Sequence, residues 1–440
     1  MVNARAVLGL ALAGCAGVAG CGAPPAGTVV RAGALGGSDK LDVLFMIKNA
    51  GMDSAEANLK TNLPALMDVL KNRPEGLPDL HLAVITSDMG AGDGSFTACS
   101  GDGDGGVFQY GPGVGCTATN LNAGATFVAT TGGANFTGDV TAVAQCLITV
   151  GSAGCPFGHP LASIARALGA DGTPPPAENQ GFLRADAMLA IILLTDEDDC
   201  SAPASSPLFD YTGSASLAGP VGPPSTYRCS EFGVVCGTPG AAPPRLSPTP
   251  TDLSTTVTLD GCRSNEASPY LPAVAPMAAA VKALKADPAR QILVAAIAGP
   301  LTPYTVRWQT PSVADTGPWP DLEPSCDGGN AIGVGLPAVR ITDWVHAFGD
   351  NGLSYSICTN SFAPALEDIA THLVNGLAVG GDAGGPAVAP DAGGDAGNPL
   401  VREGCGCTAG AGAPPGEGAL ALVALAVLSR ARRPARRRRA

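Results

Sequence analysis

Two short stretches hold the residues best suited to chemistry. Asp196-Glu197-Asp198-Asp199 places four consecutive acids just after the apolar run 188–194, and Lys48-Asn49-Ala50-Gly51-Met52 follows the apolar run 41–47. Four carboxylates at one strand end offer hard oxygens, so weak Ca²⁺ coordination by Asp196, Glu197, Asp198 and Asp199 is the one cofactor reading they support. Acidic runs are more often solvated loops. Lys48 brings an ammonium, which can pair with a carboxylate but cannot donate an oxygen to a cation. Asp102 and Asp104, within the Gly-Asp-Gly-Asp-Gly segment 101–105, lack the twelve-residue hand with its terminal Glu and read as a turn.

Catalytic patterns find no support. The chain has no Gly-x-Ser-x-Gly elbow, no phosphate-cradling Gly-x-x-x-x-Gly-Lys-Ser/Thr and no His-Glu-x-x-His. His81 falls inside a strand pattern, His159 begins a helix, and His346 and His372 sit at helical positions, none with a nucleophile close in sequence. No catalytic residue is assigned, and the chain reads as a non-enzyme. A nucleic-acid partner is excluded by charge: the net is −13, and residues 22–404 carry 17 basic against 37 acidic side chains.

The cysteines speak to compartment. Of fourteen, ten lie between Cys99 and Cys358, with no Cys-x-x-Cys pair among them, which argues for five disulfides in an oxidising compartment rather than zinc or redox sites. Short loops between expected elements suggest Cys99–Cys116, Cys146–Cys155, Cys200–Cys229, Cys236–Cys262 and Cys326–Cys358. The first 21 residues read as a secretory signal peptide, with an apolar stretch too short to span a bilayer. Its Val18-Ala19-Gly20-Cys21 tetrad resembles a bacterial lipobox, making Cys21 the lipidation candidate and Cys15 the alternative. Near the other end come Gly404-Cys405-Gly406-Cys407, a short apolar run at 418–429 and seven arginines between Arg430 and Arg439.

The elements that must position the strand-end residues follow from periodicity. Continuous apolar runs at 41–47, 81–86, 188–194 and 291–297 read as strands buried on both faces, and 353–358 is strand-like. Leu59, Leu63, Leu66 and Leu70 recur at helical spacing, with Pro64 expected to start or kink that helix. Further helices are expected at 161–168, 271–285 and 364–377. Residues 99–116 read as a disulfide-tied hairpin or loop, and 201–261 as an irregular insertion. Strands alternating with helices predict an α/β fold: a mostly parallel, Rossmann-like sheet with helices on both faces and long disulfide-tied loop insertions. The division is a signal segment (1–21), a tether (22–40), one domain (41–378), a Gly/Ala/Asp/Pro linker (379–404) and a C-terminal tail (405–440).

The segments DVLFMIKNAG, LPDLHLAVITSDMGAG, LLTDEDDCSA and YRCSEFGVVC, with this order of elements, resemble the von Willebrand factor type A domain, more narrowly its myxobacterial secreted form, over roughly residues 41–375. The tail resembles the myxobacterial C-terminal sorting tail. That resemblance implies cytoplasmic arginines and surface anchoring through a cysteine, Cys407 first and Cys405 second. Type A domains bind a divalent cation through Asp-x-Ser-x-Ser, a Thr of a second loop and a later Asp. Here Lys48 stands in place of the Asp, Ala50 and Met52 in place of the serines, and no Thr matches near Cys155-Pro156-Phe157-Gly158. Only Asp196 remains. The resemblance thus implies a degenerate, metal-free site in which Lys48 pairs with Asp196 and fills the cation's space. It also implies a secreted binding or adhesion module, anchored to the outer membrane or cell surface. Lys48, Asn49, Asp196, Glu197 and Asp198 would form the face toward a protein or glycan. A secreted hydrolase with a dispersed active site and a purely structural envelope protein are the alternatives.

Overall fold

The computed structural model describes residues 39–92, 99, 101–210, 216–246, 253–310, 318–329 and 333–378. The signal segment, the linker, the tail and all four candidate lipidation cysteines lie outside the described residues. In chain order the elements are β1 (Lys40–Ile47), α1 (Asp53–Lys71), β2 (Asp79–Thr86), β3 (Val128–Ala129), α2 (Val140–Leu147), α3 (Pro160–Leu168) and β4 (Met188–Leu194). Next come α4 (Tyr227–Gly233), β5 (Val234–Val235), β6 (Thr256–Leu259), β7 (Arg263–Ser264), α5 (Val274–Lys282), α6 (Pro288–Gln291) and β8 (Ile292–Ala298). The series closes with β9 (Tyr304–Gln309), β10 (Trp319–Leu322), β11 (Cys326–Asp327), β12 (Val334–Gly335), α7 (Val339–His346), β13 (Gly352–Ser356) and α8 (Ala363–Ala378).

The main sheet runs β13-β8-β4-β1-β2-β3, parallel throughout except for the short antiparallel edge β3. The architecture is therefore α/β with a mostly parallel sheet. Alternate strand residues feed two cores, as period 2 requires. Val43, Phe45, Val84 and Ile192 pack against Leu59 and Leu63 of α1 and Leu366 and Leu373 of α8. On the opposite face Leu44, Met46, Ile85 and Ile191 pack with Ile164 of α3 and Ile341 and Trp344 of α7. Both faces are covered, which is why these strands read as unbroken apolar runs rather than alternating ones.

Several details differ from expectation. α1 begins at Asp53 and continues through Pro64, which neither starts nor ends it. The 201–261 segment is not wholly irregular: it holds α4 and β5, and β6 joins β9 and β10 in a second antiparallel sheet over its own small core of Tyr304, Val306 and Trp308. The disulfides Cys200–Cys229, Cys236–Cys262 and Cys326–Cys358 are as expected, but the remaining four cysteines pair as Cys99–Cys155 and Cys116–Cys146. The 99–116 loop is thus not closed on itself. It is tied at one end to the segment before α3 and at the other to the last turn of α2. Loop-closure entropy rises only slowly with loop length, so the nearest cysteine has little advantage over a more distant one.

Candidate functional site

Strand register brings the chemistry-bearing residues to one level. Ile47 of β1 lies opposite Thr86 of β2 on one side and Leu194 of β4 on the other. Lys48, Ser87 and Thr195 therefore leave the sheet together. The order of strands reverses between β1 and β4, and in open α/β sheets such a switch point opens a crevice at the carboxyl ends. The backbone closes this crevice on three sides: Lys48 N donates to Leu194 O (2.9 Å), His159 N to Ser87 O (2.8 Å) and Gly154 N to Asn49 O (2.6 Å). Gly154 is required here, because a Cβ would sit 2.2 Å from Asn49 Oδ1.

Lys48 stands at the centre, 3% exposed. Its ammonium donates to Asp196 Oδ1 at 2.7 Å and to the Ala50 carbonyl at 3.0 Å, and it lies 3.4 Å from Glu197 Oε2. The ammonium thus makes two hydrogen bonds and has a third oxygen within ion-pair range, and the pairing with Asp196 that charge predicts is made. Burial works to lower the Lys48 pKa, but Glu197 and Asp196 together outweigh it and hold the ammonium above its ordinary value. Glu197 is raised by burial, against the pull of Lys48.

The other two acids turn inward. Asp198 accepts from the amides of Arg340 (3.0 Å) and Ile341 (3.1 Å), closing the first turn of α7 as a cap supplied from a distant loop. Burial pushes its pKa up to about 6 even so. Asp199 Oδ2 accepts from Nε and Nη2 of Arg340, both at 3.1 Å, and neither side chain is exposed. Its Oδ1 accepts from Leu161 N at the start of α3. The acidic run is therefore a junction between β4, α3 and α7 rather than a solvated loop. Every one of its carboxylates is engaged within the chain.

Around this junction, Asp104 does more than occupy a turn: its Oδ2 accepts from Thr86 Oγ1 (2.5 Å) and Asn49 Nδ2 (3.2 Å), joining the exits of β1 and β2. Gly103 (φ +56°) permits this approach, since a Cβ would lie 2.2 Å from Asp88 Oδ1. Asp88 in turn accepts from Gly90 N and Cys155 N. His159 is 1% exposed, stacks edge-on to Phe209 and has neither ring nitrogen hydrogen-bonded; burial pulls its pKa down to about 4 despite Asp199 and Asp88 nearby. Asn49 Oδ1 and Ser87 Oγ are likewise buried without a partner. The other histidines stand apart: His81 Nδ1 meets Phe182 O at the sheet's opposite end, and His372 lies on α8.

Two features of the expected binding face are corrected by burial. Lys48 and Asn49 lie beneath the surface, so neither can touch a macromolecular partner directly. The side chains of Asp196 and Glu197 remain 24% and 26% exposed and form the open part of the site. Beside them, Glu197 and Asp198 wall a small cleft together with Phe157, Thr226, Ser230 and Leu322, whose roughly 20 Å³ suits a single water. Met52 and Ala50 sit at the foot of α1 and in the exit loop, and neither brings a side-chain oxygen. A type A cation site needs hard oxygens around an open centre. The donor set here, with an ammonium hydrogen-bonded at that centre, does not fit a divalent ion.

Sequence reasoning missed Arg340, Asp104 and the Ala50 carbonyl. Arg340 was open to inference: a charge spaced with Ile341, Trp344 and Val345 on an apolar face demands a buried partner. Among the described residues no helix is long and apolar enough to cross a membrane. No protein-family model, curated protein or solved structure matches the chain.

Proposed function

We propose that the chain is a surface-anchored, extracytoplasmic binding module on a von Willebrand factor type A-like frame, in which the Lys48 ammonium takes the place of the divalent cation. One observation carries the reading: at the switch point of the sheet, Lys48 is buried, its ammonium hydrogen-bonds Asp196 and the Ala50 carbonyl, and Glu197 lies within ion-pair range. A fixed internal cation holds the exits of β1 and β4 together, as a metal would, and leaves no coordination position for a partner's carboxylate. Recognition of a protein or glycan then falls to the exposed edges of Asp196 and Glu197 and to the disulfide-tied loops beside them. The reversal of strand order between β1 and β4 supports the type A-like frame. The five disulfides support an oxidising compartment.

The test is retention of the purified chain on cell envelopes of the source organism, in chelator and in Mg²⁺. Equal retention is expected. Retention that disappears in chelator contradicts the internal cation, and no retention under either condition contradicts the binding role.

A further inference from the structure

The contact between Lys48 and Asp196 has the makings of a covalent bond. An amine and a carboxyl group condense to an amide when they are held together, shielded from water, and served by a third group that moves protons. Lys48 Nζ lies 2.7 Å from Asp196 Oδ1, so the nitrogen is held directly beside the carboxyl group it would attack. The amine is buried and the Ala50 carbonyl fixes its direction. Glu197 Oε2 stands 3.4 Å from the same nitrogen, within ion-pair range and near enough for a proton to pass through one water or after a small side-chain movement.

Other lysine–carboxylate pairs among the described residues lack this combination. Lys40–Asp186 (2.6 Å) and Lys71–Asp139 (2.9 Å) are solvent-exposed. Lys285 is as buried as Lys48, but it is 3.8 Å from Asp42 and spends its hydrogen bonds on the carbonyls of Arg184 and Ala187.

We propose that Lys48 and Asp196 condense spontaneously into an intramolecular amide cross-link, with Glu197 as the proton-transferring residue. A proton first passes from the Lys48 ammonium to the Asp196 carboxylate along their hydrogen bond, against the pull of the two carboxylates that hold the ammonium above its ordinary value, leaving a neutral amine and a neutral acid. The Nζ lone pair attacks Cγ of Asp196, forming the C–N bond. Protonated Glu197 gives its proton to the departing hydroxyl as the C–O bond breaks, and takes one from the nitrogen. Glu197 ends as it began, and one water leaves. The amide keeps one N–H, directed at the Ala50 carbonyl. The burial that raises the Glu197 pKa favours its protonated form at the start. Condensation also removes two charges from a poorly solvated place, where an ion pair recovers its desolvation cost only in part. The product would staple the exits of β1 and β4, adjacent strands far apart in sequence.

The inference rests on the same contact as the proposed function and deepens it: once condensed, Lys48 joins β1 to β4 by an amide in place of its charge, still leaves no position for a metal, and requires no binding role. Its test is peptide mapping of the purified, reduced and alkylated chain by tandem mass spectrometry. In the wild type the peptides carrying Lys48 and Asp196 are expected as one branched species, lighter by one water than their sum, with no tryptic cleavage after Lys48. Glu197→Gln, checked for native circular dichroism, is expected to yield the two peptides separately. Separate wild-type peptides with cleavage after Lys48 overturn the cross-link and leave the binding reading standing. A branched species undiminished in Glu197→Gln overturns the role given to Glu197.

Discussion

The same strands end in two buried charge clusters of opposite character. At their amino ends, Asp42 is fully buried and accepts from both the backbone amide and Nε of Arg184 at 2.8 Å, while Arg184 also reaches Asp79 at 2.7 Å. Lys285 completes the group, tying the carbonyls of Arg184 and Ala187 to the bottom of the sheet. Two cations face two carboxylates. At the carboxyl ends, Lys48 and Arg340 face Asp196, Glu197, Asp198 and Asp199, so acid is in excess. Buried polar atoms of Asn49, Ser87, His159 and Arg340 are also left without partners there. The lower cluster is a satisfied lock on the 182–187 segment. The upper one keeps unmet polar capacity and a partly open rim, the condition expected of a functional face rather than of a purely structural one.

The comparison breaks most sharply if the upper cluster proves dispensable. Arg340→Ala leaves Asp199 charged and buried without its guanidinium, and is expected to cost about 3–5 kcal/mol, read by urea denaturation. A loss under 1 kcal/mol would mean that the acidic junction carries little of the fold. Lys48→Met removes two charge-assisted hydrogen bonds, to Asp196 and the Ala50 carbonyl, from a partly open site and is expected to cost less, about 1.5–3 kcal/mol in the same measurement.

A finer distinction comes from pH. Glu56 of α1 faces the loop beyond α2, accepts from Gly151 N at 3.1 Å, and has its pKa pushed up to about 7 by burial, with Asp53 adding to the effect against the Gly151 amide. The folded chain therefore holds this proton more tightly than the unfolded one. The stability it contributes is full below the ordinary value of 4.5 and is lost as pH rises through about 7. Asp198 behaves likewise between its ordinary 3.8 and about 6. Glu56→Gln, which keeps an acceptor for Gly151, should flatten the decline in thermal midpoint across neutrality. A wild type and variant that decline in parallel would show that Glu56 is not held protonated.

The frame was readable from sequence wherever burial is symmetric. The runs behind β1, β2, β4 and β8 are apolar at nearly every buried position, with Asp42, His81 and Thr86 near the strand ends as exceptions, so periodicity and length suffice. β3 could not be seen, because two residues carry no pattern. β9 and β10 could not be seen because their partner β6 lies within a Pro- and Ser-rich stretch. In the site, the Lys48–Asp196 pair followed from charge once the type A resemblance had set the two residues at the same strand-end site. The fate of Asp198 and Asp199 did not, since each is decided by α7, a helix whose inward Arg340 obscures its apolar face. The nested pairing of Cys116–Cys146 within Cys99–Cys155 depended on α2, another element not visible in advance.

The account turns on Lys48 standing where a metal would stand, and thermal unfolding of the purified chain in chelator, in Mg²⁺ and in Ca²⁺ tests this most directly. Three coincident midpoints are expected, because the link that joins β1 to β4, whether ion pair or amide, belongs to the chain itself. A midpoint that falls in chelator, or climbs with either cation, would show that the crevice still holds a divalent ion and that Lys48 does not replace it.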